Sequence, residues 1–267
     1  MSQADKPVVV ITGASSGIGD GVARRFAAGG WRIVAVARRQ ERLEKLKREL
    51  SDQAAIELVA ADVRDKDAPE RAVNAAISSF GRLDCLVNNA GSGKWAPVAD
   101  TDDATLDEIL DISLKAPFRF ARAAIRVMRP GSSIINVGST FGIVGGINGG
   151  AYCAAKSGLI GLTRAIAVDY GAKGIRSNCV APGVIPTEMT QRNWPTEEFR
   201  RKNQEMRPLD RDGSVADVAN TIFFLASPEG SYIQAQTIAL DGGWTETKYL
   251  SPEALHGERV KPRADKS

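Results

Sequence analysis

The sequence predicts a single doubly wound α/β domain, built on a mostly parallel, seven-stranded sheet with helices on both faces. Three observations carry this. Short apolar runs bounded by turn residues alternate with helical patterns along nearly the whole chain, which is the signature of βαβ units. A glycine-rich stretch, Thr12 to Gly19, directly follows the first apolar run and opens the first helical pattern. The pattern never gives way to a second composition, so no linker, repeat or low-complexity block divides the 267 residues.

Each element can be justified in turn. Val8 to Thr12 reads as a buried strand, and Gly17 to Ala28 as a helix ended by Gly29-Gly30. Arg32 to Ala37 is the next strand. Glu41 to Leu50 is a charged helix with Leu43, Leu46 and Leu50 on one face, the spacing of an amphipathic helix. Ile56 to Ala60 is a strand, Pro69 to Phe80 a helix and Leu83 to Asn88 a fourth strand. Later strands fit Ser133 to Val137, Ile175 to Val180 and Thr237 to Leu240. The helix Tyr152 to Val168 carries Ala or Gly at 154, 155, 158, 161, 165 and 167 among Leu and Ile. It is apolar or small on nearly all faces and should be buried. Small residues favour close helix packing, so a subunit interface is expected there. Residues 1–6 form an extension, 7–245 the domain and 246–267 a polar tail. Such a tail is either partly disordered or an arm reaching a neighbouring subunit.

Composition excludes several classes. Hydrophobic residues at 43% and charged residues at 25% are those of an ordinary globular protein. The longest clean apolar runs, such as Val8 to Ile11 and Ile33 to Ala37, fall far below the roughly 18 residues of a membrane span. Met1 to Pro7 is polar and lacks signal-peptide character. A net charge of +3 argues for neither nucleic acid nor a membrane surface. Cys85, Cys153 and Cys179 are scattered without a Cys-x-x-Cys pair, so neither a disulfide framework nor a zinc site is expected, and a reducing, cytoplasmic location is. The single histidine, His256, lies in the tail. A histidine triad and a metal site are therefore not expected. The chemistry falls to Tyr, Lys, Ser, Asp or Glu, or to a cofactor.

Four motifs carry that chemistry. Thr12-Gly13-Ala14-Ser15-Ser16-Gly17-Ile18-Gly19 places glycines where a backbone turns sharply and a helix N-terminus offers N–H groups to a pyrophosphate. Gly13, Ser15, Ser16, Gly17, Ile18 and Gly19 are the candidate contacts. The second strand ends Val36-Ala37-Arg38-Arg39, where an acid usually holds the ribose 2′-hydroxyl of NAD. Two guanidinium groups stand there instead, and arginine binds phosphate with a planar fork. A charge pair at about 4 Å and an effective dielectric of about 20 is worth at most ~4 kcal/mol, a ceiling of roughly three decades for NADP over NAD. Otherwise the arginines simply start a solvated helix. Asp62-Val63 and Asn88-Asn89-Ala90-Gly91 fall at C-terminal strand ends, where ligands bind in open α/β sheets, although Asn and Gly also favour plain turns. Finally, Tyr152 and Lys156 are four apart on a helix and share a face, with Ser139 at a strand end thirteen residues before Tyr152.

Together these residues resemble the short-chain dehydrogenase/reductase family. The resemblance covers Val8 to Trp244 and adds Pro182-Gly183 and Asp241-Gly242-Gly243 to the motifs above. It implies a Rossmann-type fold, NADP(H) as cofactor with NAD(H) second, and a homotetramer or homodimer. Asp62, Val63, Asn89, Ala90, Gly91, Pro182, Gly183, Ile185 and Thr187 would contact the cofactor, the last two at the carboxamide. Tyr152 would be the general acid for ketone reduction, or the base for alcohol oxidation. Lys156 would favour the phenolate and hold the ribose, and Ser139 would hydrogen-bond the carbonyl oxygen. Ser113 stands where the family often has an asparagine of a proton relay. Gly138-Ser139 replaces a double serine. Residues 188–212 resemble the family's substrate lid, with six basic residues (192, 200, 201, 202, 207, 211) balanced by six acidic ones, giving no sign of an anionic substrate. Lys94, Trp95, Val144 and Trp194 would face the cleft, and an apolar ketone of moderate size is the expected substrate. Epimerase-type members use a different glycine spacing and enoyl reductases space Tyr and Lys more widely, so neither branch fits. The alternatives are a 3-oxoacyl-carrier-protein reductase, an NAD-dependent secondary alcohol dehydrogenase, or a non-catalytic nucleotide sensor for which Ser113 is the only support.

Overall fold

The computed structural model describes residues 6–191, 194 and 196–251. Seven strands form one wholly parallel sheet: β1 (Val8–Thr12), β2 (Arg32–Ala37), β3 (Ile56–Ala60), β4 (Cys85–Asn88), β5 (Ser133–Val137), β6 (Arg176–Pro182) and β7 (Thr237–Leu240). Their order across the sheet is β3-β2-β1-β4-β5-β6-β7. Ile11 sits opposite Ala35 on one side and Val87 on the other. The winding reverses between β1 and β4, so a crevice opens beyond their C-terminal ends.

Alternation along the strands fills both faces. Val9, Ile11, Ile33 and Val87 pack beneath α1 (Gly17–Ala28), α2 (Gln40–Glu49) and α9 (Val215–Ala226), where Phe26, Trp31 and Phe223 meet edge to face. Val8, Val10, Val34 and Leu86 face α3 (Ala68–Phe80), α5 (Ala116–Ile125) and α6 (Gly150–Tyr170), through Val73, Phe120 and Ile166. Among the described residues no helix is long and apolar enough to cross a membrane.

Three local departures from the sequence reading have physical causes. β6 runs on to Pro182 because β7 continues the pairing past the last β5 partner, with Ala181 opposite Ala239 and Pro182 opposite Leu240. Between α4 (Asp103–Leu110) and α5 the chain makes a π turn, Asp111–Lys115, in which the Ala116 N–H reaches the Asp111 carbonyl. Pro117 has no N–H for the Ser113 carbonyl in α register, and the wider turn accommodates it. In α6, Ala155, Leu159, Ile160, Thr163, Ile166 and Ala167 are buried, whereas Ala154, Gly161, Ala165 and Val168 face outward. Within one chain this helix is thus covered on one side only. The short helices α7 (Glu188–Gln191) and α8 (Glu197–Gln204) follow β6. The expected lid charges Arg192, Arg200 and Lys202, and the tail from 252 onward with His256, lie outside the described residues or side chains.

Candidate active site

The crevice is built by ties between β1 and β4. Thr12 Oγ1 accepts the N–H groups of Asn89 (3.0 Å) and Ala90 (3.1 Å), and Asn89 Nδ2 donates to the Thr12 carbonyl (2.9 Å). Gly13 (φ 71°) and Gly17 (φ 55°) take left-handed conformations that favour glycine. A side chain on Gly19 would collide with the Gly13 carbonyl oxygen. α1 starts at Gly17 after an extended Ser16 whose side chain makes no cap bond. Instead Ser16 Oγ and Ser15 Oγ accept from Arg39 Nη2, at 2.9 and 3.2 Å. A helix N-terminus without a side-chain cap, two hydroxyls and a guanidinium make a donor set suited to the phosphates of a dinucleotide.

The arginine pair divides. Arg38 is exposed and acts electrostatically on Asp62. Arg64 binds Asp62 with 2.7 and 3.1 Å hydrogen bonds and is the main reason its carboxyl lies below the usual carboxylate range. Arg39 leans over the loop, with Glu188 of α7 beside it at 3.6 Å. Glu188 also holds Arg42 at 2.6 Å, and Arg42 followed by Arg39 keeps the carboxylate low. The adjoining Thr187 methyl lies where a side chain on Gly17 would reach. The segment after β6 therefore straps across the mouth of the glycine loop.

The candidate side chains Ser139, Tyr152 and Lys156 lie near the end of β5. Lys156 is buried, and its Nζ donates to the Val137 carbonyl at 2.8 Å while standing 5.7 Å from the Tyr152 ring centre. Ser139 Oγ accepts the Phe141 N–H (3.2 Å) and so starts the turn Thr140–Gly142. That turn lies directly on α6: a Cβ at Gly142 would sit 2.9 Å from the Lys156 backbone, and Ser157 Oγ donates to the Gly142 carbonyl at 2.9 Å. Gly138 is demanded by packing, since a Cβ there would lie 2.7 Å from Cys179 Sγ. Burial pushes the Cys179 thiol up to about 11, so it contributes bulk and no charge. Ser113 is fully buried in the π turn, and its Oγ finds no hydrogen-bond partner among the described residues.

On the cleft side, Trp95 lies 5.4 Å from the Tyr152 ring. Lys94 is paired with Glu108 at 2.6 Å. Val144 is half-buried, its N–H bonded to the Thr140 carbonyl at 2.9 Å. Trp194 packs within the lid, 5.8 Å from Phe199. Beyond Phe141 a cavity of about 390 Å³ opens between the β6 and β7 ends and the 203–213 segment, lined by Ile185, Leu209 and Trp244 together with the charged Arg207, Arg211 and Asp241.

Comparison with known proteins agrees with this geometry. A family model described as Enoyl-(Acyl carrier protein) reductase matches residues 13–245. Galactitol 2-dehydrogenase (L-tagatose-forming) of Cereibacter sphaeroides is 34% identical over 90% of this chain and 96% of that enzyme. Levodione reductase of Leifsonia aquatica is 37% identical over 88% and 93%. A short-chain dehydrogenase/reductase structure from Serratia marcescens superposes with a TM-score of 0.84 at 31% identity, over 90% of this chain and 98% of that one. The chain is a short-chain dehydrogenase/reductase. As a member of this family of oxidoreductases it works with a nicotinamide dinucleotide on a small molecule, at a CH–OH or carbonyl group.

Sequence reasoning missed what holds this dehydrogenase/reductase site in place. Asn88 Nδ2 donates to Asn136 Oδ1, Asn136 Nδ2 to Thr163 Oγ1, and Thr163 Oγ1 to the Leu159 carbonyl, at 2.9, 2.9 and 2.8 Å. This buried polar chain fixes α6, and with it Tyr152 and Lys156, against β4 and β5. A polar residue inside an otherwise apolar strand, as at Asn136, was the signal available. The Asp241-Gly242-Gly243 motif also acquires a structural role. Asp241 caps the turn through the Gly243 and Thr245 N–H groups (both 2.9 Å), and a Cβ at Gly242 would sit 2.5 Å from Arg207 of the lid.

Proposed function

We propose that this chain interconverts a ketone and its secondary alcohol with NADP(H), Tyr152 acting as general acid or base. The observation that carries this is the seating of Lys156 on the Val137 carbonyl beside the Tyr152 ring, next to a glycine loop overlaid by Arg39. When bound, the nicotinamide exchanges a hydride with the carbon that bears the oxygen. The rest is done by the chain. Tyr152 moves the proton to or from the substrate oxygen, with the Lys156 Nζ 5.7 Å from its ring centre. Ser139 offers its hydroxyl hydrogen to that oxygen, which suits its lone pair already being used by the Phe141 N–H. Ser113 occupies the relay position behind α6. Pro182, Gly183, Ile185 and Thr187 would hold the nicotinamide half, Asp62 and Val63 the adenine half, and Asn89, Ala90 and Gly91 the part between.

Arg38 and Arg39 read the 2′-phosphate in this account. The outward stripe of α6 (Ala154, Gly161, Ala165, Val168) is the surface we assign to a subunit contact in a dimer or tetramer, which sedimentation tests. Three free thiols suit a reducing compartment such as the cytoplasm. The decisive experiment follows loss of reduced-nicotinamide absorbance, NADPH beside NADH, over aliphatic, aromatic, cyclic and 3-oxoacyl carbonyls. Turnover with NADPH is expected, and Tyr152→Phe should lower kcat by roughly 100- to 10,000-fold while retaining cofactor binding. A Tyr152→Phe protein with wild-type kcat would overturn the assignment.

A further inference from the structure

We propose that the wall beside Tyr152 selects a flat, ring-bearing, apolar ketone or alcohol, with Trp95 as the residue that sets this preference. The inference rests on the carbonyl-reductase reading above and names its substrate class.

Four aromatic rings from four separate segments form a continuous row. Tyr152 on α6 meets Trp95, from the loop after β4, at 5.4 Å with a 41° tilt. Trp95 meets Phe141, from the loop after β5, edge-on at 5.2 Å. Phe141 meets Trp244, which follows β7, at 5.6 Å. The seats are built by glycines: a Cβ at Gly149 would lie 2.6 Å from the Trp95 ring, and one at Gly146 would lie 2.7 Å from the Phe141 ring. The position of the indole is therefore specified by its surroundings.

Although packed on protein, Trp95 remains 47% exposed, and the exposed side chains nearest its seat, Val98 and Met189, are apolar. Val98 packs at Gly150 and Met189 at Gly93, next to the indole. Clustered exposed apolar side chains mark a binding surface. The neighbouring cation, Lys94, is already neutralised by Glu108, so no carboxylate or phosphate anchor is offered there. A polyol would bring several hydroxyls to a wall with few partners, and unpaired polar groups are costly. An open chain gains contact area on this wall. A flat ring gains the offset stacking geometry as well, with ring centres roughly 4.5–7 Å apart.

The test compares ketones of equal carbon number, tetralone and methyl octyl ketone, with fructose as the hydroxylated probe. Each ketone is measured on wild type and variants, so intrinsic reactivity cancels. Trp95→Ala should lower kcat/KM for tetralone about 10- to 100-fold, mainly through KM, and that for methyl octyl ketone less than about threefold. Trp95→Phe should restore most of the loss. Gly149→Ala, which displaces the indole, should lower the same ratio. Equal losses on both ketones, no loss on either, or fructose as the preferred substrate would overturn the proposal. If wild type turns over no carbonyl, the reaction assignment fails separately. Binding of tetralone in the presence of NADP⁺, read by saturation-transfer NMR, then decides: binding that disappears in Trp95→Ala upholds the ring site, and binding that is absent or unchanged refutes it.

Discussion

Replacing Arg39 with alanine should weaken NADPH about 10- to 30-fold and leave NADH within about threefold. Among the described residues the side chain's polar contacts are Ser15, Ser16 and Glu188, so little of the fold depends on it. On the proposed assignment its loss would remove a charge-assisted hydrogen bond to the 2′-phosphate, worth about 1.5–3 kcal/mol. Arg39 is 40% exposed, and solvent screening places the value at the lower end, about 1.5–2 kcal/mol, or roughly 10- to 30-fold. Glu188 adds a second handle, because its carboxylate lies beside the same guanidinium. Glu188→Gln should strengthen NADPH by about threefold, as a like charge is removed from the phosphate, and leave NADH unchanged. Both constants are measured by fluorescence titration at one ionic strength, since screening alone alters them, with Tm recorded for each variant. Equal weakening of the two cofactors by Arg39→Ala would refute the phosphate assignment. So would NADPH affinity that survives the loss of Arg38 and Arg39 together.

Three further outcomes are expected. Ser113→Ala should keep or raise Tm, by up to about 1 kcal/mol of stability, because it removes a buried hydroxyl that has no partner among the described residues; a loss of more than that amount on chemical denaturation would contradict it. Asp217 joins a capping box with Ser214 and pairs with Arg211, which chiefly holds its carboxyl well below the usual range. A depressed folded pKa stabilises above the unfolded value and is lost as pH falls. Asp217→Asn should thus cost about 1 kcal/mol at neutral pH, and the gap to wild type should begin to narrow only below about pH 4, shrinking as pH falls toward the depressed folded value; a gap that narrows between about pH 7 and pH 5 would count against it. Burial pushes Cys85 up to about 12 and Cys179 up to about 11, while Cys153 is half-buried. A thiol reagent should therefore titrate one cysteine quickly in the native protein and all three after unfolding.

Much of this molecule is written in short-range pattern. A run such as Val8 to Thr12, followed at once by glycines and a helix, specifies a buried parallel strand and a tight glycine turn, because backbone conformation and burial are decided within a few residues. Ser139, Tyr152 and Lys156 were legible for the same reason: a four-residue helical spacing places two side chains on one face wherever the helix lies. What local pattern could not supply was the relation between segments distant in sequence. That Asn136 joins Asn88 to Thr163, that Gly138 makes room for Cys179, and that Pro117 accompanies a π turn around Ser113 all depend on which surfaces the fold presses together. The same holds for Arg39, whose contact with Glu188, 149 residues later, exists only because the segment after β6 crosses the C-terminal ends of β5, β4 and β1 to reach the β2 end. Trp95 was recognisable as a cleft residue. Its place in a row of four rings came from glycines and aromatics on four separate segments, and only tertiary packing sets their relative positions.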